Sequence, residues 1–241
     1  MRAQNSAPPV VATPVPDANG IISRASVIPD RMPLFPTVPS DPDAATWERN
    51  PQSAFSKAKT QQKPMLLLFT AQWNPLCKDL SSEVFSSKTF NLYAKKNLII
   101  CYLDFPHDPL DSPDALRQLK EKFKVRGLPV LLVFDPQGHV IHQATGYRSG
   151  RPVDYFNALK KVCDDQLVEL KQKRQMQVAK GYREWKNAKG KPFFALFTHR
   201  DATTITLKSA AGEIWKIKIA TLSPADQAFA LSFPAQQASK K

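Results

Sequence analysis

Hydrophobic residues follow two different periods along the chain. Before about residue 170, unbroken apolar runs at 65–70, 98–103 and 130–134 alternate with segments whose apolar residues recur every three or four positions. Beyond residue 181, apolar and polar residues alternate, as at 205–208 and 215–219. Short apolar runs indicate buried strands, recurrence every three or four residues indicates amphipathic helices, and alternation indicates half-exposed antiparallel strands. The pattern therefore predicts an α/β domain followed by a small all-β domain.

The predicted helices of the first region each carry one apolar face. A helix from residue 75 has Leu76, Leu80 and Val84 on one face, and another amphipathic helix is marked by Leu116, Leu119 and Phe123. A long helix is expected to bury the face formed by Val153, Phe156, Leu159, Cys163, Leu167 and Leu170. A type I turn signal at 135–138 leads into a returning strand that begins at Val140. The order βαβ, helix, β-hairpin and closing helix predicts a mixed central sheet flanked by helices.

Helix starts are predicted where a good N-cap residue stands before proline. A capping side chain satisfies free N–H groups, and proline suits the first helical position. Five pairs have this form: Asp41-Pro42, Asn50-Pro51, Asn74-Pro75, Ser112-Pro113 and Ser223-Pro224. After the last pair, Asp226 completes the spacing of a capping box.

Composition divides the chain further. Residues 1–40 are rich in proline and have no apolar periodicity, so they are expected to form a disordered, extended arm. The predicted α/β domain occupies 41–170, and the Lys- and Gln-rich residues 171–181 extend its last helix as a linker. The all-β domain occupies 182–234, and 235–241 form a tail.

The formal net charge of the chain is +13, and much of it lies late in the sequence. Residues 160–218 carry 14 Lys or Arg against 6 Asp or Glu, a difference of +8. Such a balance permits contact with nucleic acid, anionic lipid or cell-wall polymer. The sequence carries no zinc-finger spacing or RNP-type strand motif, so no specific nucleic-acid partner is predicted. A solvated, Lys-rich surface is the favoured interpretation, and weak contact of 171–218 with an anionic polymer is the alternative.

The three cysteines, Cys77, Cys101 and Cys163, are widely spaced and odd in number. That pattern excludes a disulfide framework and a local metal site, and we predict neither a metal nor a cofactor. No apolar run is long enough to predict a membrane span. Because the sequence begins directly with polar, Pro-rich residues, we expect an exported protein whose signal peptide has been removed.

The first apolar run leads into the segment Trp73-Asn74-Pro75-Leu76-Cys77, which reads as a turn that opens a helix. This arrangement resembles the thioredoxin superfamily, whose redox signature is Trp-Cys-x-x-Cys, with Asn74 in place of the first cysteine. Residues 44–165 are similar to a bacterial thioredoxin-like family of exported proteins. The matching positions are Trp47, Lys63-Pro64, Phe69-Thr70, Trp73, Cys77-Lys78, Glu83-Val84-Phe85, Leu103-Asp104-Phe105-Pro106, Val125-Arg126-Gly127-Leu128-Pro129, Gly138 and Gly146-Tyr147.

The resemblance implies a thioredoxin fold and a particular site. In the family, the residue matching Pro129 is a cis-proline beside the redox loop, and the backbone next to it pairs with an extended peptide. That is strand addition through main-chain hydrogen bonds. The implied binding surface therefore consists of Trp73, Asn74, Pro75, Leu128 and Pro129.

Residues 182–234 resemble a second family, the SH3-like homology domain first described in a yeast endocytic adaptor. The matching positions are Arg183, Trp185, Gly190-Lys191, Ala195-Leu196-Phe197, Ile205-Thr206-Leu207, Gly212, Leu222-Ser223 and Asp226. The resemblance implies a small SH3-like barrel. The adaptor's domain binds a short peptide motif, but a shared fold does not transfer a ligand.

Two functions follow from the altered redox loop. Asn74 cannot form a thiolate, whereas asparagine is among the best N-cap residues. Cys77 lies one turn inside the helix, where a packed, inert thiol is favoured over a reactive lone thiol. The first hypothesis is a non-catalytic protein of the bacterial cell envelope, in the periplasm or otherwise exported, that binds an extended peptide or protein client. The alternative is a single-thiol disulfide oxidoreductase that uses Cys77.

Overall fold

The computed structural model describes residues 34–35, 40–210 and 212–235. These residues divide into two compact units, and the boundary falls between Leu167 and Val168. Most of the predicted arm at 1–40, and all but the first residue of the predicted tail at 235–241, lie outside the described residues. No helix in the described part of the chain is long and apolar enough to cross a membrane.

The first unit is built on a mixed five-stranded sheet in the order β1-β3-β2-β4-β5. Strand β3 runs parallel to β1 and β2, while β4 runs antiparallel to β2 and β5. The strands are β1 (Trp47–Glu48), β2 (Met65–Thr70), β3 (Ile99–Asp104), β4 (Val130–Phe134) and β5 (Val140–Thr145). The mixed sheet expected from the order of apolar runs is therefore present.

Helices connect these strands in the expected order. They are α1 (Pro51–Gln61), α2 (Pro75–Leu80), α3 (Lys88–Asn97), α4 (Asp114–Lys122) and α5 (Pro152–Ala179). A π-helical turn at Ser81–Phe85 follows α2, and a 3₁₀ turn at Pro109–Asp111 precedes α4. Helix α5 continues without a break through most of the segment predicted as a linker.

The central strands are buried on both faces, as sheets covered by helices usually are. Leu66 and Leu68 of β2 belong to the cluster that includes α2, α3 and α5 residues, whereas Met65, Leu67 and Phe69 belong to the cluster with α1 and α4. Successive side chains of a strand point to opposite faces, so one apolar run supplies both clusters.

The proline-pair rule succeeds at three positions and is wrong at one. Helices begin directly after Asn50, Asn74 and Ser223, and each of these side chains caps its helix. Asp41-Pro42 instead forms a turn, in which Asp41 Oδ1 accepts the N–H of Asp43 at 2.8 Å. An Asp side chain that bonds the backbone two residues on competes with helix formation.

The fourth proline pair needs a smaller correction. Helix α4 begins at Asp114, and Pro113 rather than Ser112 is the residue before its first turn. One predicted core residue is also wrong, since Val153 is 65% exposed, and Leu76 on the apolar face of α2 is 41% exposed. Both lie in the first turn of their helices. The spacing of apolar residues indicates which face of a helix is buried, but it does not indicate how many turns of that face are packed against the rest of the protein.

Phe35 corrects the predicted arm. Its ring is 4% exposed and stacks on Trp47 with a centroid distance of 4.3 Å. It also makes edge contacts with Phe85 and Tyr102, and Leu34 packs against the same cluster. The composition of a Pro-rich segment indicates that it does not form a hydrophobic core of its own. A single aromatic residue of the segment can still pack into the core of the neighbouring domain, because its ring buries a large apolar area.

The second unit contains one antiparallel sheet in the order β6-β7-β8-β9. Its strands are β6 (Tyr182–Lys186), β7 (Pro192–Arg200), β8 (Thr204–Ser209) and β9 (Ile214–Lys218). A 3₁₀ turn at Ile219–Thr221 and helix α6 (Pro224–Leu231) follow. Its buried cluster includes Trp185, Ile205 and Leu207 together with Leu222 and Ala230. The antiparallel β domain predicted from alternation is present, and its SH3-like character stays a prediction.

Candidate functional site

Asn74 lies where β2 gives way to α2, and both polar atoms of its side chain are hydrogen-bonded. Its Oδ1 accepts the N–H groups of Leu76 at 3.0 Å and Cys77 at 3.4 Å. Its Nδ2 donates to the carbonyl of Leu128 at 3.3 Å. The amide therefore caps α2 and joins it to the loop that precedes β4, 54 residues later in the chain.

Trp73 is anchored at one edge and exposed elsewhere. Its Nε1 donates to the carbonyl of Phe105 at 3.1 Å, and its ring meets His107 edge-on with a centroid distance of 5.0 Å. The side chain nevertheless remains 43% exposed, and Leu76 nearby in sequence is 41% exposed. A ring that is fixed by a hydrogen bond and still exposed offers apolar contact area at little entropic cost.

The loop before β4 supplies the other two predicted residues. The peptide bond between Leu128 and Pro129 is cis, as the family resemblance implies. Leu128 is half-buried against the cluster formed with α1 and α4, and Pro129 is buried. The Pro129 carbonyl accepts the N–H of Gly146 at 2.8 Å. The structure thus joins Asn74 directly to Leu128, with Trp73 and Pro75 on either side of Asn74 in the chain.

Cys77 is 2% exposed, and its pKa is raised. Burial is the main cause and the carboxylate of Asp104 acts in the same direction, while the Thr70 side chain and the Ala71 backbone oppose the shift. Thr70 Oγ1 is itself buried and has no partner of good hydrogen-bond geometry among the described residues, so we regard its effect on the thiol as weak. A raised pKa leaves less of the nucleophilic thiolate at neutral pH.

The other two cysteines are also free and buried. Burial raises the pKa of Cys101, which is fully enclosed in the sheet, and raises the pKa of Cys163 to about 12. Free cysteine is commonly buried and packs as a small apolar side chain. No group of three His, Cys, Asp or Glu residues suited to a metal ion occurs within the described ranges.

Three residues outside the predicted site, Asp104, Phe105 and His107, also contact the redox loop. Strands β2 and β3 are parallel neighbours in which Thr70 pairs with Asp104, so the loops after both strands leave the sheet at the same edge. There Asp104 Oδ1 accepts the N–H of Gln72 at 3.1 Å. The matching segment 103–106 could have indicated this proximity, because the carboxyl ends of parallel strands meet at the same edge of a sheet.

Comparisons with known proteins find similarities to thioredoxin-like proteins. The model of a family described as "Thioredoxin-like domain" matches residues 51–162, a little under half of the chain. The chain is 28% identical over 118 residues to a "Disulfide bond reductase DsbH" of Chlamydia pneumoniae, covering 47% of this chain and 70% of the relative. It is 27% identical over 109 residues to the "Thioredoxin-related protein DsbJ" of the same organism, covering 43% of this chain and 31% of that relative.

Solved structures also match part of the chain. A structure described as "DsbH Oxidoreductase" matches with 28% identity and a TM-score of 0.44, covering 52% of this chain and 91% of that one. The solution structure of a thioredoxin from Thermus thermophilus matches with 18% identity and a TM-score of 0.41, covering 48% and 85%. The family match, the strand order and the helix order together show that residues 51–162 have a thioredoxin fold.

Proposed function

We propose that the thioredoxin-like domain binds extended segments of protein clients and does not exchange disulfides with them. The observation that carries this proposal is Asn74. Dithiol enzymes of this fold have their attacking sulfur at that position, at a helix N-terminus where the thiolate is stabilised. In this protein the position holds an amide whose two polar atoms are hydrogen-bonded within the fold.

The exposed faces of Trp73 and Leu76 supply the apolar part of the proposed surface. Binding energy at protein interfaces is concentrated in a few residues, and Trp is among the most frequent of them. Pro75 is also exposed and adds to the same stretch of chain. Trp73 is therefore the residue expected to contribute most to client affinity.

The polar part of the proposed surface is main chain. Client pairing beside Leu128 would follow the strand-addition mode, in which main-chain hydrogen bonds provide affinity without demanding a particular side chain. The Asn74 amide holds the Leu128 carbonyl in place, and a carbonyl oxygen retains a second lone pair for another donor. On this proposal, Asn74 orients the pairing group instead of attacking the client.

The alternative proposal is a single-thiol oxidoreductase that uses Cys77. It is supported by the names of the two relatives, which are a disulfide bond reductase and a thioredoxin-related protein. The position of the thiol one turn inside α2 also supports it. Against it are the 2% exposure of Cys77 and its raised pKa, because thiol–disulfide exchange needs both access and thiolate.

The main proposal is tested by measuring binding of reduced, carboxymethylated α-lactalbumin. This polypeptide stays unfolded because its disulfides cannot re-form. Trp73→Ala should lower the affinity by about tenfold or more, as loss of an interface anchor does. Leu92→Ala is the matched control, since Leu92 is 47% exposed on α3 and lies outside the proposed surface. Equal affinity of wild type and Trp73→Ala would reject the proposed surface.

Cys77→Ser separates the two proposals. If the protein is a client-binding module, this variant should bind the same polypeptide as well as wild type does, and neither should reduce a disulfide substrate. Robust reduction of that substrate by wild type, abolished in Cys77→Ser, would establish the single-thiol enzyme instead.

We also propose that the protein is exported, on the strength of its resemblance to an exported family. Fractionation of the source cells, with detection by antibody, tests the location. Weak contact of the basic residues 171–218 with anionic polymer is a further proposal. If it holds, retention on heparin should fall steeply as salt rises, since exposed charges are screened over roughly 10 Å at 0.1 M salt.

A further inference from the structure

Strand β9 forms one edge of the sheet in the second unit. It pairs with β8 on one side, and the sheet order ends with it. Among the described residues, no main-chain hydrogen bond reaches its other side from another segment. Its residues alternate between exposed and half-buried positions, which is typical of a strand with one solvent-facing side.

Two hydrogen bonds that flank the β8–β9 pairing determine which groups point to the free edge. Ser209 N–H donates to Glu213 O at 2.8 Å, and Ile219 N–H donates to Thr203 O at 2.9 Å. In an antiparallel pair, hydrogen-bonded and non-hydrogen-bonded positions alternate. The odd-numbered residues of β9 therefore bond to β8, and its even-numbered residues direct their N–H and C=O groups outward.

Those even-numbered residues are Ile214, Lys216 and Lys218, and all three side chains are exposed. Ile214 is 59% exposed. The odd-numbered residues Trp215 and Ile217 lie on the opposite face, where they pack against the buried cluster of this unit. The free edge thus presents outward backbone groups together with two lysines, spaced two residues apart on one face.

Two acidic residues of this unit, Asp226 and Glu184, are engaged by arginines. Asp226 pairs with Arg183 at 2.8 Å, and Glu184 lies 3.6 Å from Arg174. Asp201 accepts hydrogen bonds within its own turn, and its charge also acts on Lys216 from beyond ion-pair distance. Within the described ranges, neither Lys216 nor Lys218 forms an ion pair.

We propose that the free edge of β9 binds an extended, acidic segment of a partner protein by strand addition. The segment carries Asp or Glu at two alternate positions, opposite Lys216 and Lys218, with an apolar residue between them. Directly opposite residues of an antiparallel pair share a face at about 5.5 Å between Cα atoms, within reach of a Lys–carboxylate contact. The apolar residue then lies beside Trp215 and Ile217.

The same lysines argue against a second copy of this chain as the occupant. Antiparallel pairing of two β9 edges would bring together four lysines, two from each copy, and like charges on paired strands are destabilising. Charged residues, especially lysine, are a common device against edge-to-edge association of identical chains. An acidic partner turns that repulsion into attraction.

Three end-blocked peptides test the proposal with the full chain. The first alternates Glu and Val, the second has Lys in place of Glu, and the third has the composition of the first with its Glu residues adjacent. Calorimetry should detect binding of the first peptide only, with an affinity that falls as salt rises. Amide hydrogen exchange should slow at Ile214, Lys216 and Lys218, whose N–H groups point outward.

Variants separate charge from backbone pairing. Reversing both charges, with Lys216→Glu and Lys218→Glu, should weaken binding of the alternating Glu peptide by about tenfold or more and create binding of the Lys peptide. Lys189→Glu with Lys191→Glu makes the same change in net charge in the β6–β7 turn, and should alter the affinity less than about twofold. Lys216→Pro removes an outward N–H without removing a bond to β8, and should also weaken binding.

Several outcomes would overturn the proposal. They are no binding of the alternating Glu peptide, equal binding of the peptide with adjacent Glu residues, equal loss in both charge-reversal pairs, and full affinity in Lys216→Pro. The last two would indicate a general polyanion surface, which competition by heparin would reveal. Gain of Lys-peptide binding by the charge-reversed variant shows that it remains folded, so its loss of Glu-peptide binding remains interpretable.

Discussion

Both polar atoms of the Asn74 side chain form hydrogen bonds, and the two atoms bond to different elements of the fold. Its oxygen caps α2, while its nitrogen reaches Leu128 in the loop before β4. A cysteine at this position would supply a sulfur for exchange but neither of those amide contacts. The position therefore joins two elements of the proposed client site through polar contacts alone.

Asn74→Cys tests this interpretation directly. The variant should gain dithiol-dependent reduction of a disulfide substrate, because the new thiol would lie at a helix N-terminus and Cys77 is one turn away. Its unfolding free energy should fall by about 1 kcal/mol through loss of the N-cap. Mass spectrometry should detect a 74–77 disulfide in the oxidised variant. A folded variant unable to form it would show that the family resemblance misplaces the redox position.

The raised pKa of Cys77 predicts its chemical behaviour. A thiol whose pKa is raised in the folded state ionises at higher pH than it does in the unfolded chain, so less thiolate is present at neutral pH. At pH 7.5, iodoacetamide should modify Cys77 more slowly in native protein than in urea, and the native rate should rise as the pH is increased. Peptide mass spectrometry separates Cys77 from the other two cysteines. Rapid native labelling at pH 7.5 would instead favour the single-thiol enzyme.

At the scale of elements, helix α6 is tied to β6 through one buried carboxylate. Asp226 is 4% exposed and accepts hydrogen bonds from the N–H of Lys186 at 2.7 Å, from Ser223 Oγ at 2.8 Å and from Arg183. The Arg183 guanidinium also lies over the Phe229 ring at 3.8 Å. The Asp226 carboxylate therefore links strand β6 to the N-cap of α6, and it also holds the Arg183 guanidinium that contacts Phe229.

Asp226→Asn should destabilise this unit by about 2–4 kcal/mol, since it leaves the Arg183 charge without its buried partner. The urea dependence of amide hydrogen exchange in β6 to β9 measures the loss. Glu169→Gln is the control: its pair with Lys173 lies in the same unit and is exposed at both ends, so less than about 1 kcal/mol should be lost. Similar losses in both variants would contradict the structural role of Asp226.

For the molecule as a whole, the division into two units predicts that a substitution that destabilises one unit leaves the stability of the other unchanged. Each unit has its own buried clusters, so the free energy of opening should be a property of each unit. In full-length Asp226→Asn, amide exchange should accelerate in β6 to β9 and stay unchanged in β2, β3 and β4. Equal acceleration in both sets of strands would indicate a single cooperative unit.

Several features of the fold could be predicted because they depend on neighbours in the chain. The runs that became β2 and β4 are apolar except for Thr70 at the end of β2, and every residue in them is buried. Asn50, Asn74 and Ser223 cap helices through N–H groups two or three residues away. Two of the edge strands were harder to predict. Strand β1 spans two residues, and β6 has only Trp185 fully buried among charged neighbours, so neither has a clear apolar period.

By itself, the sequence determined the order of elements, the change from an α/β to an all-β region, and the absence of a nucleophile at position 74. These follow from local periodicity and residue identity. The tertiary structure alone decided that the Asn74 amide reaches Leu128, that Phe35 enters the core, and that Leu76 stays exposed. The free edge of β9 likewise depends on strand order. Each of these features depends on residues far apart in the chain, and a local pattern contains no information about which distant surface will cover it.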